Sequence, residues 1–317
     1  MGKAAPARVA RATIRVVSGV VDIIVLVVVA VLVVLSCYTI WDSRQLGQDA
    51  SPARYALYKP SAATPAVDGS APLAQLQAIN PDVQAWLTVY NTGIDYPVVQ
   101  GRDNSHYLNR DATGKYSGAG SIFVDYRNRP GFADFSTIVY GHHMRSGMFA
   151  EIGLFYEQSY FDARPYGALY FNGHKHGLEF FAFLHTSAYD DSVYTTPVEP
   201  HGEQAYLTQL LREARFVRPE VTVGTDDHIV LLSTCSSRTT NGRDILVGKI
   251  VDQARPDPSL DQASGSASTS IIDSLPGLLA GAPTWVKVAA SLVIPWWLLL
   301  IVLLLRRRTR ARQPANH

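Results

Sequence analysis

A cysteine and a histidine each stand directly after an apolar run in this 317-residue chain. Cys235 closes the run 229–234, and His142 follows Gly141 after the run 138–140. A thiol attacks only as its thiolate, and its unperturbed pKa near 8.5 means that a reactive cysteine needs a basic or cationic neighbour. If both runs are strands of one sheet, their ends can bring thiol and imidazole together. The pair therefore indicates nucleophilic catalysis through a covalent intermediate.

A candidate cation follows the cysteine. Arg243 lies eight residues after Cys235 and opens the apolar run 245–251, while Arg238 is closer in sequence and competes with it. His143 competes with His142 in the same way. Taken singly, each residue has an ordinary explanation, because cysteines are common in cores and histidines or arginines are common in surface loops. Only their joint occurrence favours a reactive site.

Two long apolar segments near the chain ends predict membrane spans. Residues 16–40 and 286–305 each reach the roughly 20 residues that a helix needs to cross a bilayer. Only basic charges flank them on the outer sides, and basic flanks favour the cytoplasm. We therefore expect a two-pass protein of the cell membrane, with both termini cytoplasmic and residues 41–285 extracellular. The flanking basic residues are Lys3, Arg8, Arg11, Arg15, Arg306, Arg307, Arg308, Arg310 and Arg312.

The N-terminal segment has two competing interpretations. A cleaved signal peptide would have a shorter apolar core and a small-x-small cleavage site, which does not follow here. The string 34–37 faintly resembles a lipoprotein box, which would make Cys37 a lipidation site. We favour an uncleaved anchor, and a disulfide between Cys37 and Cys235 is not expected, because the first lies at the membrane and the second in a folded domain.

Charge and composition exclude several function classes. Outside the nine flanking residues the chain carries 19 basic and 27 acidic residues, a formal charge of −8, which argues against a nucleic-acid partner. No Gly-rich phosphate loop is present in the sequence, so we expect no nucleotide and no other cofactor. His174 and His176 lack the third ligand of a zinc site, and we predict no metal.

The chain divides into seven segments by composition. Two stretches rich in Ser, Ala and Pro read as tethers on either side of a segment long enough to bury a core. The predicted order is a basic N-terminus (1–15), a transmembrane helix (16–40), an extracellular linker (41–71), a catalytic domain (72–254), a linker (255–285), a transmembrane helix (286–305) and a basic tail (306–317).

The catalytic segment has mainly β patterns. Asn172-Gly173 is a strong hairpin signal between two strands, and helices are expected only at 72–79 and 203–215. Short strands with Gly and Asn turns between them indicate a sandwich or a barrel. The predicted strands are 121–126, 136–140, 168–171, 178–184, 228–234 and 245–251.

The motifs around the reactive residues resemble those of the sortases of Gram-positive cell surfaces. The resemblance rests first on Leu232-Ser233-Thr234-Cys235 with a following arginine and on Tyr140-Gly141-His142. Four further strings resemble class B sortases in particular: NPDVQAWL at 80–87, IDYPVVQG at 94–101, DNSHYLN at 103–109 and GSIFVDYRN at 120–128. The match runs in order from about residue 78 to 251.

This resemblance implies a closed, eight-stranded sortase-type β-barrel with a few short helices, here flanked by two transmembrane helices. It also implies a thiol transpeptidase. Cys235 would attack a C-terminal sorting signal of a surface protein or pilin and form a thioacyl enzyme, and an amine such as that of a peptidoglycan precursor would take the acyl group. His142 would be the acid and base, and Arg243 would stabilise negative charge. The implied substrate groove contains Asn104, Leu108, Ser233 and Thr234.

Two alternatives stay open, and a third lacks its motif. A second span is more familiar in pilus-building class C enzymes, although residues 41–71 show no Asp-Pro-aromatic lid. The domain could also be a tethered binding or scaffold module that keeps the fold without turnover. An unrelated thiol peptidase or a cysteine L,D-transpeptidase would need another local order, such as His-Gly-Cys, which the sequence lacks.

Overall fold

The fold is taken from a computed structural model, and its description covers residues 5–60, 72–145 and 147–258. The predicted C-terminal span at 286–305 and the basic tail at 306–317 lie outside the described residues. So do residues 61–71 of the first linker and all but the start of the second.

Nine β-strands form one sheet in the described ranges. They are β1 (Val83–Val89), β2 (Asp95–Val99), β3 (Ile122–Val124), β4 (Ser136–Tyr140), β5 (Tyr166–Phe171), β6 (His174–Ser187), β7 (Ala214–Val217), β8 (His228–Cys235) and β9 (Gly242–Val251). Eight of them close into a ring in the order β5-β1-β2-β3-β4-β8-β9-β6, which the pairing of β5 with β6 completes. Strand β7 pairs only with β6. The predicted closed, eight-stranded barrel is confirmed.

The predicted hairpin joins β5 to β6. Phe171 pairs with His174, and the two residues between them both have positive φ, 49° at Asn172 and 80° at Gly173. Two positive φ values at the centre of a two-residue loop suit the right-handed twist of the flanking strands. His176 stacks on Phe171 with ring centroids 4.2 Å apart, so this histidine belongs to the hairpin's packing.

The two faces of β8 and β9 bury different apolar clusters. One cluster takes side chains from strands all around the ring, including Val230, Leu232 and Leu246, and therefore fills the barrel. The other contains Leu231 and Val247 and lies under a helix. Because neighbouring residues of a strand point to opposite faces, each strand divides its side chains between the two clusters.

Four α-helices and three 3₁₀ helices accompany the barrel in the described ranges. The α-helices are α1 (Ala5–Asp49), α2 (Pro72–Ile79), α3 (Gln158–Asp162) and α4 (Glu203–Glu213), and the 3₁₀ helices are Pro52–Tyr58, Pro130–Phe132 and Ala150–Tyr156. Helices α2 and α4 match the two predicted helices, the second ending two residues early. Helix α4 buries Tyr206, Leu207 and Leu210 against the outer cluster.

Residues 41–60 differ from the predicted linker. Helix α1 continues to Asp49, and the 3₁₀ helix that follows buries Tyr55, whose hydroxyl accepts a hydrogen bond from Ala112 N–H. Ala50 is also buried, and its carbonyl accepts from the Tyr96 hydroxyl at 2.6 Å. Extending an existing helix adds a hydrogen bond for each residue ordered, so the polar residues after the apolar run continue it. The segment is thus packed on the barrel.

Helix α1 is long and apolar enough to cross a membrane. The side chains described between residues 16 and 42 lie almost entirely at the surface of the protein. A signal sequence near an N-terminus meets the same criteria of length and composition. It is the one helix in the described part of the chain that meets them.

Candidate active site

Cys235 lies at the end of β8, where the chain leaves the sheet. The six residues before it are buried in the two apolar clusters and the sheet, whereas Cys235 itself is exposed and unpaired with any cysteine. The polar string after Cys235 cannot extend a buried strand, so the thiol marks the boundary. It is therefore accessible to a substrate.

Strand β9 places Arg243 directly opposite Cys235. The two strands are antiparallel, and Cys235 pairs with Arg243 while Thr234 pairs with Asp244. Residues opposite each other in such a pair have Cβ atoms about 5 Å apart and lie on the same face. Cys235 and Arg243 therefore share one face of the sheet, and Thr234 and Asp244 share the other.

Strand β4 brings His142 to the same edge. It runs parallel to β8 with Tyr140 paired to Ser233, and the alignment continues as Gly141 N–H donates to the Ser233 carbonyl at 3.2 Å. The Thr234 hydroxyl donates to the Gly141 carbonyl at 2.8 Å. Glycine is required here, because a Cβ at residue 141 would lie 2.6 Å from the Phe149 ring. His142 lies two residues after Tyr140, and Cys235 lies two residues after Ser233, so the two side chains follow the same pair of opposite residues.

The two adjacent histidines face different surroundings. His142 Nε2 lies 2.9 Å from the Leu108 carbonyl oxygen. A carbonyl oxygen can only accept, so Nε2 carries a proton and Nδ1 is the nitrogen whose protonation can change. His143 instead lies by the 150–156 helix, with Cε1 3.4 Å from where a Gly153 Cβ would be. Its Nδ1 is buried without a hydrogen-bond partner among the described residues.

The two candidate arginines also differ. Arg243 donates to the Gly242 carbonyl at 3.0 Å, and no ion pair joins it to a carboxylate in the part of the chain that the structure describes. Arg238 is engaged inside the protein, with Nη1 3.2 Å from Asp244 Oδ2 and Nη2 donating to the Gly153 carbonyl at 3.0 Å. The guanidinium left for a substrate is that of Arg243.

Of the four predicted groove residues, Asn104, Leu108 and Ser233 lie around this edge, whereas Thr234 points to the face of β8 opposite to Cys235, because neighbouring strand residues alternate in direction. Leu108 is 43% exposed next to His142, whereas Ser233 and Thr234 are buried. The Ser233 hydroxyl lies 2.8 Å from the Tyr194 hydroxyl. Asn104 donates to Asp125 at 2.9 Å and accepts from Tyr126 N–H at 3.1 Å. These bonds hold Asn104 and Ser233 in place on the wall of the predicted groove.

One buried carboxylate organises that wall and was not among the predicted site residues. Asp125 follows β3 and accepts hydrogen bonds from Asn104, from both the backbone and guanidinium of Arg127, and from the Tyr140 hydroxyl at 3.0 Å. Burial raises the pKa of Asp125, but the hydrogen bonds from Arg127 and Asn104 outweigh it and hold the pKa below its usual value. The sequence signal was an acid directly after the apolar run 122–124, with an arginine two residues later.

Two tyrosines connect Asp125 to the cysteine strand. Tyr140 stacks on Tyr194 with ring centroids 6.3 Å apart, and Tyr194 reaches Ser233. Burial and the charge of Asp125 raise the pKa of Tyr140 well above its ordinary value. Burial also raises the pKa of Tyr194 to about 12, although its hydrogen bond with Ser233 opposes the shift. Both hydroxyls therefore stay protonated at neutral pH, and that of Tyr140 donates its hydrogen bond to Asp125.

No metal-binding cluster of three His, Cys, Asp or Glu side chains occurs among residues 5–60, 72–145 and 147–258. The site is an exposed thiol, an imidazole and a guanidinium at one edge of a closed barrel. These groups suit acyl transfer through a thioester.

Comparison with solved structures gives the class of protein. A sortase B from the type II pilus of Streptococcus pneumoniae is 42% identical, with 57% of this chain and 98% of that chain covered and a TM-score of 0.51. A Staphylococcus aureus sortase B–substrate complex is 30% identical, with 58% and 86% covered and a TM-score of 0.53. No family model matches the chain. The fold is that of the sortases.

Comparison with characterised sequences narrows the class. Sortase B of Listeria monocytogenes is 34% identical over 201 residues, which cover 62% of this chain and 81% of that protein. The chain belongs to the class B sortases. Its relatives imply that it is a cysteine transpeptidase.

Proposed function

We propose that Cys235 is the nucleophile, His142 the acid and base, and Arg243 the electrostatic stabiliser of this transpeptidase. The observation that carries the proposal is the strand register, because β4, β8 and β9 bring these three residues to one edge while no other cysteine lies in the barrel. His143 and Arg238 face the 150–156 helix and are not available to a substrate at that edge.

The first half-reaction forms a thioester. The Cys235 thiolate attacks the scissile carbonyl carbon, a C–S bond forms, and the C–N bond breaks. The leaving amine takes a proton from His142 Nδ1, while Nε2 keeps its proton because it donates to the Leu108 carbonyl. This hydrogen bond also fixes the ring's orientation, so the acid is aimed before the substrate arrives.

The second half-reaction returns the proton. An incoming amine attacks the thioester, gives a proton to the neutral His142 Nδ1, and forms a new amide as the C–S bond breaks. In both halves negative charge develops on the carbonyl oxygen. Arg243 is positioned to stabilise it, because its guanidinium is not neutralised by a carboxylate among the described residues and lies opposite the thiol.

We infer that the acyl donor is a C-terminal sorting signal of a surface protein. One structural neighbour is described as a sortase B–substrate complex, which supports a peptide bound along the wall formed by Leu108, Asn104 and Tyr194. The acceptor is an amine of a peptidoglycan precursor or a pilin lysine. This chain is 42% identical to the sortase B of a type II pilus and 30% identical to the sortase B in the substrate complex. The higher identity to the pilus enzyme supports a pilin lysine as the second candidate acceptor.

We further propose that α1 anchors the enzyme in the cell membrane with the barrel outside. Its apolar length and the basic residues before it support this orientation. Because α1 continues without a break to residues packed on the barrel, the anchor would hold the active site close to the membrane surface. The second span at 286–305 stays a prediction. Accessibility of Cys37 and of cysteines introduced at each terminus to impermeant thiol reagents would test both orientations.

The proposed reaction is tested with the full chain in detergent micelles. A library of sorting-signal peptides is incubated with a peptidoglycan-type amine or with a lysine-containing pilin peptide, and products are identified by mass spectrometry. We expect cleavage and an amine-dependent ligated product, both lost in Cys235→Ala. A folded protein that cleaves and ligates no peptide of the library would instead favour the non-catalytic scaffold, and cleavage unaffected by Cys235→Ala would exclude the thiol mechanism.

A further inference from the structure

A second buried carboxylate lies behind the active site. Asp244 follows Arg243 in β9 and is fully buried. It accepts a hydrogen bond from His185 Nδ1 at 2.7 Å and from Arg238 Nη1 at 3.2 Å. Since strand neighbours point to opposite faces, Asp244 points away from the substrate side on which Arg243 lies. It therefore takes no part in the chemistry assigned to Arg243.

Arg238 connects this carboxylate to residues 236–241, the six-residue loop that joins the strand of Cys235 to the strand of Arg243. Besides Asp244, its guanidinium binds the Gly153 carbonyl and lies over the Tyr156 ring, 4.1 Å from its centroid. Thr239 of the same loop lies 3.3 Å from His185 Nε2. Two loop side chains are thus tied, directly or through His185, to one buried acid.

The cluster also touches the strand that carries the histidine. A Cβ on Gly153 would lie 3.4 Å from both Asp244 Oδ2 and His143 Cε1, so the 150–156 helix packs between the ends of β9 and β4. His185 comes from β6, where it pairs with Asp244 across the strands. Asp244 lies in β9 and binds His185 of β6 and Arg238 of the loop, and Arg238 in turn binds the 150–156 helix. This cluster lies next to the strand ends that carry the three proposed active-site residues.

We propose that Arg238 is a positioning residue of the transpeptidase, which acts through Asp244. Bound to Asp244, it holds the 236–241 loop so that Cys235 and Arg243 stay opposite each other, and it pairs with the carboxylate that directly follows Arg243 in sequence. The proposal rests on the proposed roles of Cys235 and Arg243.

The expected size of the effect follows from geometry. A displacement of about 1 Å between reacting groups can lower a rate about 100-fold. Arg238→Gln removes the guanidinium and with it the contacts to Asp244, the Gly153 carbonyl and the Tyr156 ring, which would loosen the loop without removing the Cys235–Arg243 pairing. We therefore expect a fall in kcat of about 10-fold to 100-fold for Arg238→Gln, with KM for the peptide within about twofold of wild type.

Arg215 provides a matched control. Its guanidinium lies over the same Tyr156 ring, 3.9 Å from the centroid, and its Nε donates to the Tyr156 carbonyl, but it does not touch Asp244 or the loop. Both arginines lose a stacking contact when changed to Gln. Only Arg238→Gln should lower kcat, whereas Arg215→Gln should leave both constants within about twofold of wild type.

The test compares wild type, R238Q, R238K and R215Q as full chains in detergent, with kcat, KM and thermal unfolding measured for each. A positioning role predicts partial recovery of kcat in R238K, which keeps a cation for Asp244. The kcat of R238Q is measured about 20 °C below its own unfolding temperature, where the variant is folded. If R238Q has a lower unfolding temperature but a wild-type kcat under these conditions, the proposal is overturned.

A double variant covers the case in which R238Q fails to fold because the buried Asp244 loses its arginine partner and keeps only His185. R238Q/D244N removes both charges and should fold while keeping the low kcat of a loosened loop. Wild-type kcat in this folded variant would contradict the proposal. Failure of the wild type itself to form any ligated product would instead count against the proposed function, so the two failures are distinguishable.

Discussion

Asp125 and Asp244 are both fully buried carboxylates at the active-site edge, and each binds an arginine close to it in sequence. Asp125 joins the groove side: it binds Asn104, and through Tyr140 it reaches the tyrosine that holds Ser233. Asp244 joins the opposite side, where Arg238 closes the loop between the two reactive strands.

The difference shows how one sheet separates support from chemistry. On β9 the reactive candidate Arg243 points to the substrate side and its neighbour Asp244 to the supporting side. On β8 Cys235 and Thr234 divide in the same way. The carboxylates on the supporting side bind their own arginines, so among the described residues neither of them neutralises Arg243. We expect variants on the groove side to change KM and variants on the loop side to change kcat.

The largest effect is expected from truncating the groove-side acid. Asp125→Ala leaves the donors of Arg127, Asn104 and Tyr140 without their common acceptor, and each buried donor left unsatisfied costs about 1–3 kcal/mol. Urea unfolding should show this loss.

Asp134 is a matched control for the effect of Asp125 on KM, because it is also buried and bound to an arginine and an asparagine, away from the site. Asp134→Asn should leave KM unchanged, whereas Asp125→Asn should raise it. An equal rise in both variants would contradict the special role of Asp125.

The next effect concerns the chemical side of β9. Arg243→Lys keeps a charge but removes the planar, multi-donor group, and loss of an oxyanion donor lowers kcat about 100-fold to 1,000-fold, or about 2.7–4 kcal/mol. The kcat of each variant is measured from the initial rate of peptide cleavage. A drop in Arg243→Lys no larger than that in Arg238→Gln would remove the distinction between reactive and supporting arginines.

A smaller effect depends on pH. The pKa of Asp125 is lowered in the folded protein, so the unfolded state binds its proton first as the solution becomes acidic. The stability from Asp125 is therefore fully present above its unfolded pKa near 3.9 and is lost as pH falls toward the folded pKa, by at most about 1.4 kcal/mol per pH unit. Unfolding free energies measured from pH 6 to pH 2 should fall less steeply in Asp125→Asn. Parallel curves would show that Asp125 is not the coupled group.

The smallest effect is expected at the end of the groove network. Tyr194→Phe removes one hydrogen bond to Ser233 and keeps the ring stacked on Tyr140, so we expect a loss of about 1 kcal/mol and a modest rise in KM. Tyr126→Phe is the control, since Tyr126 is 51% exposed. A fall in kcat without a change in KM would instead show that Tyr194 behaves like the residues around Asp244 and not like those around Asp125.

Strand ends could be predicted from the sequence because apolar runs stop where polar residues begin. The positions of Cys235, His142 and Arg243 followed from that pattern, and their assigned roles stay predictions. Residues 83–89 and 95–99 were recognised only as motifs and not as strands, since a strand buried on both faces loses its alternation. The partner of Asp244 could not be predicted, because which of two nearby arginines turns inward depends on the 150–156 helix.

The N-terminal boundary of the barrel unit was equally beyond the sequence. Nothing periodic marks residues 41–60, yet Ala50 and Tyr55 are buried by contacts with Tyr96 and Ala112, far along the chain. Such burial arises from tertiary packing and leaves no local pattern. Experiments on a soluble form should therefore keep residues from about 45 onward.

If Cys235 carries the acyl group, intact-protein mass spectrometry detects the thioester as an added mass on the protein. The full chain is mixed with an intact sorting-signal peptide, chosen because the wild type cleaves it, in the absence of amine, and the mixture is quenched in acid. We expect a mass increase equal to the N-terminal part of the peptide, located on Cys235, absent in Cys235→Ala and released when amine is added. Peptide cleavage by wild type with no adduct under any quench time, or an adduct that persists in Cys235→Ala, would contradict it.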